Sequence, residues 1–251
     1  MARGAGLDAS PRFDPELFDF LAELRKHNAK PWFDANRSRY ERLYRDALLG
    51  FVGAVGERLP RVVPELVADA RPTGGSLMRI FRDVRFSKDK SPYRPYAVVH
   101  FRHRAGPAEG APGLFLYVAA DEISAGGGLW HPTPGDASRV RAAIARDPGG
   151  WKRATRSAKF RARFALEGDS LQRVPSGLPV GTDLEDDLRR KSFVATTELT
   201  RAQFTSAAFL ASYLGIARDV APLVRFVARA LDLDARAPPE GAVPPRRGAT
   251  R

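Results

Sequence analysis

The chain contains no cysteine. That excludes disulfides, thiolate nucleophiles, iron–sulfur clusters and cysteine zinc sites, and it fits the reducing cytoplasm, the expected location. No apolar run approaches the ~18 residues of a membrane span, and the first ten residues, MARGAGLDAS, hold no apolar segment of the kind a signal peptide needs. Lysine is scarce: 7 of the 41 basic residues, the other 34 being arginine. The chain also lacks the usual chemical fingerprints. No G-x-G-x-x-G precedes a helix, no Gly-Lys-Ser/Thr closes a phosphate loop, no H-E-x-x-H is present, and Ser124 lies outside any G-x-S-x-G elbow. No cofactor is expected.

What is present is enough for a globular domain. The 251 residues are 43% apolar and 28% charged, near ordinary averages, and a chain this long buries a core without staples. The net charge of +12 has two sources open to it. One is a polyanionic partner, nucleic acid or a phosphate-bearing ligand. The other is the arginine-, alanine-, glycine- and proline-rich drift of a GC-rich genome. Bulk charge does not decide between them; its distribution does. No membrane partner is expected, and the sequence leaves the oligomeric state open.

Residues 12–236 read as one domain, with residues 1–11 and the Pro/Gly-rich stretch 237–251 as disordered tails. Asp14-Pro15 opens a helix carrying Leu17, Phe18, Leu21 and Leu24, ending near His27-Asn28, where Asn tolerates a left-handed turn. Pro31 opens a longer one that ends at Pro60, with Gly50, Gly53 and Gly56 on one face for a close neighbour. Period-two alternation then predicts strands over Leu77–Arg82, Tyr96–Arg102, Leu114–Val118 and Lys159–Leu166, with a fifth over Phe193–Thr197. Helices are expected from Asp136 to Arg146, through Trp151 as a short turn, around Leu184 and Leu188, after the Thr200/Gln203 capping box, and finally from Val220 to Leu231. The fold class is α+β: an antiparallel sheet of four or five strands with N- and C-terminal helices packed on it.

The densest polar segment is RIFRDVRFSKDKSPYR, residues 79–94. Six cations (Arg79, Arg82, Arg85, Lys88, Lys90, Arg94) face two acids, Asp83 and Asp89, and Phe81, Phe86 and Tyr93 are interleaved. Arginine forks suit phosphate or carboxylate, and aromatic rings can stack a base. Ser87, Ser91 and Pro92 mark its second half as a loop. The expected ligand surface therefore comprises Arg79, Arg82, Asp83, Arg85, Ser87, Lys88, Lys90, Tyr93 and Arg94. A second stretch, SAGGGLWHP (124–132), adds Gly126, Gly127, Gly128 and Trp130. Its glycines either approach a ligand closely or form a bend or bulge between strands. Two alternatives stand beside ligand binding. One is an enzyme of unassigned chemistry with Asp83, Lys88, Lys90 and His131 as acid–base groups. The other makes the motif structural, its Arg–Asp pairs locking the strand–loop junction. His100 and His103 differ by three on a strand and face opposite sides, so no metal site is expected from them.

These motifs resemble those of an uncharacterised bacterial and fungal family, domain of unknown function 2461. RIFRDVRFSKDKSPYR looks like its hallmark. Phe20-Leu21, Asn28 and Trp32-Phe33 resemble its N-terminal pattern, and Gly126-Gly127-Gly128-Leu-Trp130 with Pro132 its triple-glycine motif. Arg141, Ile144, Leu171, Arg173, Pro175, Leu188 and Lys191 resemble the remainder, so the likeness runs over roughly 13 to 215. The chain departs from the pattern at Ala29-Lys30 and at Ala119-Ala120-Asp121, where a proline-containing turn is usual. The resemblance implies no activity.

Overall fold

The computed structural model describes residues 12–107 and 110–234; the two expected tails lie outside the described residues. The Asp14 carboxylate accepts the Glu16 N–H at 2.9 Å and so opens α1 (Glu16–Lys26). This helix buries Leu17, Phe18, Phe20, Leu21 and Leu24 and stops at His27. Asn28 does not take the expected left-handed conformation; its amide makes a tertiary contact instead. The long second helix is broken into α2 (Lys30–Ala35), α3 (Arg37–Arg39), a π-helical stretch Tyr40–Asp46, and α4 (Ala47–Arg58). The Asn36 amide donates to the Trp32 carbonyl at the first break, at 2.9 Å. Of the three glycines expected to admit a neighbour, only Gly56 does, against Ala68; nothing approaches Gly50 or Gly53.

The sheet consists of β1 (Tyr96–Arg102), β2 (Gly113–Ala119), β3 (Ile123–Leu129), β4 (Ala165–Glu167) and β5 (Phe193–Glu198). The order is β1-β2-β3-β5-β4 and every neighbouring pair is antiparallel. Between and after the strands come α5 (Pro134–Arg146), α6 (Pro148–Thr155), α7 (Ala158–Arg163), α8 (Glu185–Arg189), α9 (Arg201–Thr205) and α10 (Phe209–Ala230). The α9 capping box forms as expected. One sheet face, carrying Ala97, Val99, Phe101, Leu114, Leu116, Val118 and Ala125, is buried. α10 crosses it, with Val224 over Gly127. On the opposite face Tyr96, Val98, His100 and Arg102 are half-buried. The fold is α+β with a five-stranded antiparallel sheet and both terminal helical regions packed together, as the pattern indicates.

Four local expectations are corrected. The segment 77–82 is not a regular strand. Leu77 pairs with Val99 at the edge of β1, and the chain then changes partner, so that Phe81 pairs with Tyr93. Residues 158–163 are helical because the Ser157 hydroxyl caps the Phe160 N–H at 3.2 Å, and Phe160 and Phe164 meet at 5.2 Å across one turn. Alternation at 160, 162 and 164 fits that i, i+4 pair equally well. The helix expected after Thr200 is split into α9 and the start of α10, and the 22-residue α10 continues through the exposed Pro222 to include the expected last helix. The triple glycine lies inside a strand and forms no turn.

Candidate functional site

Residues 79–94 form a hairpin arm that leaves the edge of β1 after the short pairing at Leu77. Met78 N–H donates to the Val98 carbonyl (2.9 Å), and His100 N–H to the Ser76 carbonyl (2.8 Å), which fixes the arm's root. Arg82 N–H to the Pro92 carbonyl (2.9 Å) and Arg94 N–H to the Ile80 carbonyl (2.8 Å) zip its stem. Tyr93 is buried and stacks on Phe33 with ring centres 4.1 Å apart. The Asn28 side chain clamps Tyr93 from both sides of its backbone: its Nδ2 donates to the Tyr93 carbonyl at 2.9 Å, and its Oδ1 accepts the Tyr93 N–H at 3.0 Å. Sequence reading quoted Asn28, Trp32-Phe33 and the basic segment separately; the fold joins them in one corner.

Most of the arm's charge is engaged within the arm. Arg82 pairs with Asp89 and reaches the Ser87 hydroxyl at 3.4 Å. Arg85 forks onto Asp83, at 3.0 Å from Nε and 2.7 Å from Nη2. Lys90 Nζ donates to the Val84 carbonyl at 3.0 Å. Arg94 donates to the carbonyls of Arg79 (3.0 Å) and Phe81. Ser91, through its side chain and its N–H, and then Arg82 hold the Asp89 carboxyl well below the usual carboxylate range. Arg85 does the same to Asp83. Both acids are thus ionised partners of arginine, which is unsuited to a general acid at neutral pH.

Two cations have no such partner: among the described residues, neither Arg79 nor Lys88 is paired with a carboxylate or carbonyl through its side chain. Around them the arm exposes apolar surface. Phe86 at the tip is 95% exposed, with the Arg85 guanidinium 5.8 Å from its ring centre. Phe81 and Met78 are also exposed.

Gly126, Gly127 and Gly128 are not brought to this surface. They lie in β3, two strands in from β1, with Gly126 opposite Phe115 and Thr196. A Cβ on Gly126 would sit 1.9 Å from the Ala195 carbonyl oxygen, and one on Gly127 3.0 Å from Val224. Gly128 has φ +134°, which side chains rarely adopt. The close approach the glycines permit is therefore of strands and helix. Trp130, half-exposed, and His131, at φ 45°, follow at the end of β3. His131 is thus separated from Asp83, Lys88 and Lys90.

Two grooves among the described residues, of about 420 and 320 Å³, contain none of the expected site residues. Among the described residues no three His, Asp or Glu side chains are placed to share a metal ion. No helix there is long and apolar enough to cross a membrane.

Comparison with curated proteins and with solved structures finds no match. The family model described as "Conserved hypothetical protein (DUF2461)" matches residues 16–226, spanning α1, the whole sheet and most of α10. The chain therefore belongs to that family.

Proposed function

We propose that the hairpin arm binds an extended phosphate-bearing partner, nucleic acid in the first instance, with Arg79 and Lys88 supplying charge and Phe86 a stacking surface. The observation that carries this reading is Phe86. A ring almost wholly in water at the tip of a basic arm contributes nothing to the core, and a base stacked on it would cover that apolar surface. Arg85 lies beside the same ring and can join the stack without releasing Asp83. The arm stands outside both grooves, and an open projecting surface suits a polymer better than an enclosed small molecule.

A structural role accounts for the other half of the motif. Arg82, Asp89, Lys90, Ser91, Tyr93 and Arg94 all make contacts that shape the arm. The two readings thus apply to different residues of one segment. The test is fluorescence anisotropy with labelled single-stranded RNA and DNA. Phe86→Ala should weaken binding about tenfold, within the ~1–3 kcal/mol of a base–aromatic stack, while leaving the melting temperature unchanged. Equal affinity of the variant and the parent, or no binding by either, contradicts the proposal.

A further inference from the structure

The larger groove, about 420 Å³, lies at the opposite end of β1 from the arm's stem. Seven strand residues, about 20 Å, separate the two places. Its wall is made by the end of β1 and the segment paired to it, where Leu66 bridges His103, and by the last turns of α10. Residues that no local pattern links, from positions 65, 103–104, 225–229 and 234, meet there.

His103 is the unusual member. It is buried, with 3% exposure, yet among the described residues its Nε2 has no hydrogen-bond partner. The Ala105 N–H donates to its Nδ1 at 3.3 Å, so the ring proton sits on Nε2. Burial, the largest influence, holds the ring below its ordinary pKa, and the imidazole is a neutral donor. The nearest anion is the Asp234 carboxylate at 3.5 Å, beyond a good hydrogen bond. Two other groups are already satisfied. Arg225 forks onto Glu65, at 3.0 and 3.5 Å, and Arg104 donates to the Pro64 carbonyl. Arg229 pairs with no carboxylate among the described residues. Among the described residues three guanidiniums therefore face two carboxylates, and one buried N–H is left without an acceptor.

We propose that this groove is a binding site for a small phosphate-bearing ligand, seated between His103 Nε2–H, Arg229 and Arg104. Asp234, exposed on the turn after α10, holds the position loosely with its own carboxylate and is displaced by the ligand. The acceptor His103 lacks is then a phosphate oxygen, and Arg229 gains a counter-ion. The site is independent of the arm and of its proposed partner.

The experiment is a titration of the full chain with inorganic phosphate against chloride at matched ionic strength. It is read at the His103 ring resonances, to which binding at the arm does not contribute. Phosphate should shift them saturably. Arg229→Ala, an exposed position whose loss does not threaten the core, should weaken binding about tenfold. Asp234→Ala, which removes the competing carboxylate, should strengthen it. A shift no larger than chloride gives, or Asp234→Ala weakening phosphate binding or leaving it unchanged, overturns the proposal.

Discussion

The hairpin arm and the glycine strand answer to different demands, although each is a short stretch of unusual composition. In the arm, charged side chains lie at the surface and mostly hold one another. At Gly126–Gly128 of β3, side chains are absent because neighbouring backbone and α10 occupy their space. The arm should therefore tolerate change at its exposed tip, and the strand almost none at Gly126–Gly128. Residue type alone does not tell which partner a motif serves; burial does.

The comparison breaks if the strand accepts bulk. Gly126→Ala places a methyl 1.9 Å from the Ala195 carbonyl oxygen and should cost about 3 kcal/mol or more, seen as a large drop in the urea midpoint. The root of the arm should come next. Asn28→Ala removes both hydrogen bonds to the Tyr93 backbone and should cost about 2 kcal/mol, again by urea unfolding, with the tip sequence intact.

Acid should separate the regions further. Burial, then Arg102, pushes His100 on β1 from its ordinary 6.5 to about 4. The unfolded chain therefore binds the proton more readily, so stability falls as pH drops from about 6.5 to 4 and levels off below that. The loss should be about 3 kcal/mol, and His100→Gln should flatten that part of the stability profile. Asp83 and Asp89 have lowered pKa values, so the arm's own loss begins only at the acid end of this window, as pH nears the ordinary 3.8 of aspartate, and continues below it. The smallest effect belongs to the exposed pair: Arg82→Ala should change global stability by less than about 1 kcal/mol while speeding amide exchange at Ser91.

Much of this architecture is legible from residue patterns. β1, β2, α1 and α5 follow from periodicity and caps, because each has one buried face and a clear start signal. The failures share a cause: a pattern that satisfies two geometries. Phe160, Ala162 and Phe164 alternate as a strand does, yet Phe160 and Phe164 pair across a helical turn once Ser157 caps it. The glycines have no side chain with which to declare a face, so nothing local marks β3 as the centre of the sheet. Within the arm, the cationic cluster and the aromatics Phe81, Phe86 and Tyr93 can be read directly. Which cations remain unpaired cannot, since Arg82 meets Asp89 only across a closed hairpin. The groove around His103 is invisible in the sequence because its members come from three separate stretches, 64–65, 103–105 and 225–234.

Among the described residues Arg79 and Lys88 are the two cations of the arm without a carboxylate or carbonyl partner, and the proposal is that these two meet phosphate. Nucleic-acid affinity measured against salt concentration tests it most directly. The logarithmic slope should become shallower by about one for each of Arg79→Ala and Lys88→Ala, with melting temperatures unchanged. A slope unaltered by both substitutions would contradict the account.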